Sequence, residues 1–188
     1  MKVFKFGGAS VKDAAGVRNV AELLQSVGYE NTCMIVSAMG KTTNALEEVV
    51  KRYFENEDFE KTINAVKLQH LDLAKELFEN ADEVSNEISQ FFDDIISFLR
   101  RNKSPNYSYV YDQIVCCGEL ISTKIISMYL KSIQVKNEWL DVREYIKTDN
   151  TYREGKVDWK LTEESISRLS KTGFYITQGF LGSDPNFF

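Results

Sequence analysis

The residues best suited to chemistry stand within the first ten positions: Lys5, Gly7, Gly8 and Ser10. Val3-Phe4-Lys5-Phe6 reads as a short apolar strand carrying one lysine, and it runs into Gly7-Gly8-Ala9-Ser10 just ahead of a helical pattern. Glycines lack the Cβ atoms that would keep an anion away from backbone N–H groups. The start of the next helix adds the positive end of its dipole. The Lys5 ammonium, at the strand's end, could reach the same anion. The layout suits a phosphate, although it is neither a Gly-x-x-x-x-Gly-Lys-Ser/Thr loop nor a Gly-x-Gly-x-x-Gly turn. A strand–turn–helix corner whose glycines serve geometry alone would look the same.

Glu119 is the second candidate. It follows Gly118 in a helix whose other inward positions, Ile114, Val115, Ile121 and Ile125, are apolar. Such a carboxylate must reach solvent or meet a cation, and an amino-acid ammonium would serve. An ordinary exposed helix glutamate is the alternative. His70, the only histidine, excludes a multi-histidine metal centre and suits a solvated or helix-packing role. The three cysteines are Cys33, in an apolar run, and the neighbours Cys116 and Cys117. An odd count without Cys-x-x-Cys spacing points to buried thiols in a reducing compartment.

These residues need a frame that brings them together. A strand is expected over 2–6, then a helix over 11–25 with Ser10 as N-cap and Asp13 at the third helical position. The continuous apolar run 32–36 reads as a buried strand ending in the small-residue turn 37–40, with Thr42 or Thr43 opening a helix. Apolar residues then recur at helical spacing to Leu99, with polar breaks near 56–58 and 80–82. This helical block, about 42–103, exceeds what one β/α crossover needs. It reads as an amphipathic insertion over a sheet edge or a neighbouring subunit. One long helix is expected from about Tyr107 to Leu130, a strand over 135–140, a short strand near 145–148, a helix over 158–171 and a strand from 173 into a glycine-flanked turn at 179–182. Strands alternating with helices imply a parallel-rich sheet covered on both faces. In such sheets ligands bind beyond the carboxyl ends of the strands. Four small-residue turns follow strands here, at 7–8, 37–40, 141–143 and 179–182, and their convergence would make the pocket.

Length and charge bound the possibilities. At 188 residues the chain is one domain long. Its net charge of −5 argues against a general nucleic-acid binder. Residues 55–94 hold twelve Asp/Glu against three Lys/Arg, so the remainder, which carries the glycine turn, is mildly basic and suits anionic ligands. Gly7-Gly8 interrupts any secretory signal, and no apolar run approaches the ~18 residues of a membrane span. A cytoplasmic location follows.

Lys5-Phe6-Gly7-Gly8-Ala9-Ser10-Val11 closely resembles the Lys-Phe-Gly-Gly-Thr-Ser-Val that opens aspartate kinases of the amino acid kinase superfamily. Ser37-Ala38-x-Gly40-x-x-Thr43-Asn44, Gly118-Glu119-x-x-Ser122, Asp141-Val142-Arg143 and Gln178-Gly179-Phe180-x-Gly182 occur in that family's order, across the whole chain. The resemblance implies a three-layer α/β/α sandwich with a largely parallel sheet and a helical insertion. It implies transfer of the ATP γ-phosphoryl to the side-chain carboxylate of L-aspartate, giving 4-phospho-L-aspartate. That is the first step of lysine, threonine and methionine biosynthesis, with Mg²⁺ on the nucleotide and a homo-oligomer as the full-length form. By the same resemblance Lys5 is catalytic, Gly7, Gly8 and Ser10 line the phosphate path, and Ser37, Thr43 and Glu119 hold aspartate. A substrate carboxylate, with a pKa of about 3.9, is already ionised at neutral pH, so no general base is required.

Three departures stand out. Ala9 replaces the family's usual threonine, and Cys116-Cys117 precede Gly118 where Ser-x is more usual. Residues 183–188 stand where the family continues into an Arg-Gly-Gly-Ser-Asp segment and its nucleotide-binding half. Residues 1–188 are therefore expected to be the amino-terminal, aspartate-side portion, without the nucleotide-binding half and inactive alone. A non-catalytic binding or assembly module of the same fold, or another small-acid kinase, is the alternative.

Overall fold

The computed structural model describes residues 1–185; Asn186, Phe187 and Phe188, part of the final segment just discussed, lie outside the described residues. Strands β1 (Lys2–Phe6), β2 (Thr32–Val36), β3 (Glu138–Trp139) and β4 (Phe174–Gln178) form one parallel sheet in the order β1-β2-β4-β3. Every strand carboxyl end therefore opens toward the same side of the sheet. β4 is buried along its full length, as a central strand should be. β2 alternates, with Thr32, Met34 and Val36 buried and Cys33 and Ile35 half-buried. The register aligns Phe4 with Met34 and Met34 with Ile176 on the core face, and Lys5 with Ile35 and Ile35 with Thr177 on the other. The helices are α1 (Ala14–Val27), α2 (Thr42–Phe54), α3 (Glu60–Leu77), α4 (Asp82–Arg101), α5 (Tyr107–Val115), α6 (Cys117–Ser132) and α7 (Trp159–Ile166). α6 packs against β2, β3 and β4 and carries the central core residues Ile121, Ile125, Ile126 and Leu130. The flanked parallel sheet is the α/β class expected.

The helical block forms as predicted, with breaks at the predicted places. It packs on α1 and α6 through α3 and α4, not over a sheet edge. Its acidic side faces solvent, tied by exposed pairs such as Arg100–Glu60 at 2.8 Å, each worth little. His70 is buried, not solvated: it packs at 5.4 Å on the Phe92 ring, with Nδ1 2.8 Å from the Val66 carbonyl oxygen.

Several boundaries differ from expectation. Ser10 is not the cap of α1. It lies in a 3-10 turn over Gly8–Val11, and Asp13 caps α1 by accepting the Gly16 N–H at 2.8 Å. The long helix is interrupted at Cys116, where the thiols of Cys116 and Cys117 both lean on the Gln113 carbonyl oxygen, at 3.5 and 3.3 Å. A side chain competing for a ladder acceptor is a recognised cause of such breaks. Tyr107–Ser132 taken together is nevertheless apolar and long enough to cross a membrane, which the sequence reading did not expect. Two thirds of its apolar window is buried within the fold, the condition of a core helix. The strand at 135–140 shrinks to two residues because the Asn137 side chain binds Ser127 and the Val135 carbonyl oxygen instead. No strand forms at 145–148; Lys147 and Thr148 make only single bridges to Ser183 and Val157. The helix expected to Lys171 ends at Ile166, where i→i−3 bonds from Arg168 and Leu169 tighten the chain. All three cysteines are free and half-buried, so the thiols are less enclosed than expected.

Candidate functional site at the strand carboxyl ends

The four turns do meet. The Ser37 N–H donates to the Phe6 carbonyl oxygen at 3.1 Å, and the Gly40 N–H donates to that of Gly8 at 3.1 Å. The two turns approach so closely that a Cβ on Gly8 would sit 2.4 Å from the Ala38 carbonyl oxygen. Gly8 is thus a packing requirement. Gly7 is different, because a Cβ there would meet nothing within 4 Å. Its open backbone is the place where an anion could approach. The helix dipole expected behind it is not delivered there. The Asp13 carboxylate occupies the start of α1, and the 3-10 turn intervenes. Lys5 is exposed on the sheet face away from the core, with Nζ 4.7 Å from the centre of the Phe180 ring. That contact joins the first turn to the fourth.

The start of α6 lies against the second turn. Gly118 is needed there, since a Cβ would meet those of Ala38 at 3.1 Å and the Thr42 methyl at 3.3 Å. One turn further on, Ser122 Oγ donates to the Ser37 carbonyl oxygen at 2.8 Å. Between them, Glu119 is only 9% exposed. Burial pushes its pKa up to about 7, partly opposed by the Ala38 N–H. It forms no ion pair among the described residues. A carboxyl held in this way is primed to ionise when a cation arrives.

The third turn is fixed by a buried polar network. Gln178 Oε1 accepts the Val142 N–H at 2.8 Å, and Gln178 Nε2 donates to Thr123 Oγ1 at 2.6 Å. Trp139 Nε1 donates to the same hydroxyl at 2.9 Å, and Thr123 Oγ1 lies 2.9 Å from the Glu119 carbonyl oxygen. Arg143 chelates Asp141, with Nη2 to Oδ2 at 2.6 Å and Nε to Oδ1 at 2.9 Å. Burial works against the guanidinium charge, but Asp141, together with Cys116 and Cys117, outweighs it and raises the Arg143 pKa. The Cys117 thiol is pushed up, first by its hydrogen bond with Cys116 and then by burial, which makes it an unreactive packing group.

A cleft of about 550 Å³ opens over these elements, walled by Thr43, Glu119, Arg143, Phe180 and the loop over residues 149–155. Of the residues singled out from sequence, Thr43 and Glu119 line it, while Lys5, Gly7, Gly8, Ser10 and Ser37 do not. Ser37 is half-buried beside it, linked through Ser122. Tyr111, Asp112 and Arg153 also line the cleft and were not foreseen. They carry no motif, and only the docking of the 149–155 loop onto α5 brings them there. The Tyr111 hydroxyl donates to Glu47, and burial together with that bond pushes its pKa up to about 12. Arg143 lines the cleft as well; it was noted only as part of a turn.

The model of the amino acid kinase family matches residues 1–188. The chain is 27% identical over 187 residues to lysine-sensitive aspartokinase 3 of Escherichia coli (strain K12), an alignment covering 97% of this chain and 41% of the relative. It is 30% identical over 154 residues to the chloroplastic aspartokinase 1 of Arabidopsis thaliana, covering 79% of this chain and 27% of the relative. Among solved structures, that of E. coli aspartokinase III in complex with aspartate and ADP (R-state) aligns with a TM-score of 0.84 at 24% identity, over 99% of this chain and 42% of that one. The aspartate kinase of Clostridium acetobutylicum aligns with a TM-score of 0.74 at 21% identity, over 99% of this chain and 40% of that one. At these identities the solved structures establish the fold. The chain spans less than half the length of these relatives.

Proposed function

Because the chain belongs to the amino acid kinase family, we propose that it is the aspartate-side portion of an aspartate kinase. The reaction is transfer of the ATP γ-phosphoryl to the side-chain carboxylate of L-aspartate. The observation that carries this reading is Glu119, a buried carboxyl without an ion-pair partner among the described residues, set in a cleft at the strand carboxyl ends. A substrate ammonium supplies the missing charge. Thr43, on the same wall, offers a hydroxyl, and Ser37 flanks it. The E. coli neighbour, solved with aspartate and ADP, supports the same pair of ligands.

The substrate carboxylate is the nucleophile, so the protein has to orient it and neutralise charge on the transferring group. Lys5 stabilises the phosphoryl oxygens, with the Phe180 ring under its ammonium. The open face at Gly7 admits the phosphates, while Gly8 and Ser10 shape the turn. Mg²⁺ would come with the nucleotide and supply charge neutralisation on its phosphates, and no residue of this chain is assigned to hold it. The nucleotide-binding half belongs to sequence outside residues 1–188, and the complete enzyme is a homo-oligomer of the cytoplasm.

Titration calorimetry on this chain tests the reading. L-Aspartate should bind, Glu119→Gln should weaken that binding, and a coupled ADP-release assay should show no turnover by residues 1–188 alone. Failure of wild type to bind L-aspartate overturns the substrate assignment. Turnover of about 1–100 s⁻¹ would overturn the fragment reading.

A further inference from the structure

α5 stops at Val115 and α6 starts at Cys117, so Cys116 stands outside both helices. Neighbouring residues of an unbroken helix point about 100° apart. Here the Cys116 and Cys117 thiols turn to one acceptor, the Gln113 carbonyl oxygen, at 3.5 and 3.3 Å. The two thiols are also hydrogen-bonded to each other. Cys116 is half-buried and lines the cleft, where a small reagent from solvent meets its sulfur. Arg143, though chelated by Asp141, lies within electrostatic reach of both thiols. An accessible thiol beside a cation, with a second thiol in contact, is the setting of oxidisable cysteine pairs.

The backbone at Cys116 is tied to the site. Its carbonyl oxygen accepts the N–H groups of Glu119 and Leu120, both at 3.2 Å. The Glu119 carbonyl oxygen in turn lies 2.9 Å from Thr123 Oγ1, which accepts Trp139 Nε1 at 2.9 Å. A change of conformation at Cys116 therefore reaches Glu119 and, beyond it, Trp139.

We propose that Cys116 and Cys117 are a peroxide-sensitive pair that closes into a vicinal disulfide and displaces Glu119 in the cleft. The Cys116 sulfur attacks one oxygen of hydrogen peroxide. The O–O bond breaks, a sulfenic acid forms, and the second oxygen leaves as water with the thiol proton. Cys117, unreactive toward reagents in solution, needs only to attack a sulfur already in contact with it. The S–S bond forms, the S–O bond breaks, and the hydroxyl leaves as water with the Cys117 proton. Two thiols lose two electrons, and one peroxide is reduced to two waters. Adjacent Cα atoms lie about 3.8 Å apart, less than the roughly 4.4–6.8 Å that a disulfide usually spans. The ring closes only if the 116–117 backbone leaves its helical conformation, which turns the Cys116 carbonyl away from Glu119 and Leu120. A strained link of this kind is readily reduced, so the change is reversible. Its effect on substrate rests on the aspartate reading above; the disulfide itself does not.

The test is titration of the folded chain with hydrogen peroxide, followed by mass analysis of the tryptic peptide 104–124, which holds both thiols and excludes Cys33. In wild type the peptide should lose two hydrogens and its reaction with maleimide, and dithiothreitol should restore both. Cys117→Ser should stop at one added oxygen on Cys116, trapped by dimedone, and Cys116→Ser should leave the peptide unchanged. Affinity of the oxidised wild type for L-aspartate should fall about tenfold or more and recover with dithiothreitol, while Cys116→Ser keeps its affinity throughout. In a Trp159→Phe background, which leaves Trp139 as the only tryptophan, emission should shift on oxidation whether or not aspartate binds. A peptide that is oxidised only after unfolding in urea, or a link to Cys33 or to a second chain, overturns the proposal. So does a disulfide form with unchanged Trp139 emission and unchanged affinity. If reduced wild type binds no L-aspartate, the aspartate reading falls, and the peptide mass and Trp139 emission still decide the disulfide and its reach.

Discussion

The Ala38 backbone N–H supports the Glu119 carboxylate, and no cationic side chain among the described residues pairs with it. Burial outweighs that single donor and leaves a pKa of about 7. An acid whose folded pKa exceeds its unfolded value, about 4.3, holds its proton more tightly when folded. Its stabilising contribution is complete below the unfolded value and is lost as pH rises through 7. Glu119→Gln should therefore be more stable than wild type at pH 8 and nearly equal to it at pH 4.5. Denaturant midpoints at the two pH values measure this. A variant less stable at pH 8 would mean that the carboxylate has a cationic partner in the folded chain.

The same carboxyl should report ligand binding through its proton. An ammonium beside Glu119 favours the ionised form and pulls its pKa down. Binding of L-aspartate near pH 6.5 should then release up to about three quarters of a proton, almost none at pH 8.5, and less at pH 6.5 in Glu119→Gln than in wild type. Calorimetry in two buffers of different ionisation enthalpy gives the count. Equal release by wild type and variant at pH 6.5 would detach Glu119 from the ammonium.

The two glycines of the first turn should separate fold from function. Gly8→Ala forces a Cβ to within 2.4 Å of the Ala38 carbonyl oxygen, a backbone atom fixed by neighbouring hydrogen bonds. It should cost about 1–3 kcal/mol, the usual range for overpacking. Gly7→Ala meets open space at a φ of −78° and should change stability by less than about 0.5 kcal/mol. On the proposed phosphate path it should nevertheless slow phosphoryl transfer in the full-length enzyme, since the added methyl would stand where the phosphates are proposed to approach. Thermal melts and kcat of the two variants decide between these roles.

Much of this frame was legible because its signals are local. β1, β2 and β4 fall where apolar runs end in small residues, and the breaks in the helical block fall at clusters of Asn and Asp. The elements that went astray are those whose backbone groups are claimed by side chains. Asn137 takes the chain away from the strand expected at 135–140, and the Thr162 hydroxyl accepts the Lys147 N–H that a strand there would have used. The site divides in the same way. Glu119 stood out as a charge among apolar neighbours, and its burial follows from Gly118 letting α6 approach Ala38 and Thr42. Arg153 gave no signal, because its place on the cleft wall depends on a positive φ and on the loop's contact with Asp112.

Thr123 should be the residue on which the third turn depends. Its buried hydroxyl accepts from Gln178 Nε2 and Trp139 Nε1, and the oxygen of the same Gln178 amide accepts the Val142 N–H. Thr123→Val preserves shape but strands two donors, each costing about 1–3 kcal/mol when buried and unpaired. A loss of about 2 kcal/mol or more is expected from denaturant unfolding. Thr123→Ser keeps the hydroxyl and should recover most of that loss. The site should respond as well, because Thr123 also back-bonds the Glu119 carbonyl oxygen and Gln178 anchors the turn that carries Arg143. Affinity for L-aspartate should fall in the folded fraction of Thr123→Val, and Trp139 fluorescence should shift as its indole N–H loses a partner. If Val and Ser variants are equally stable, or if binding survives in Thr123→Val, the network is packing alone and the third turn is held by Asp141 and Arg143.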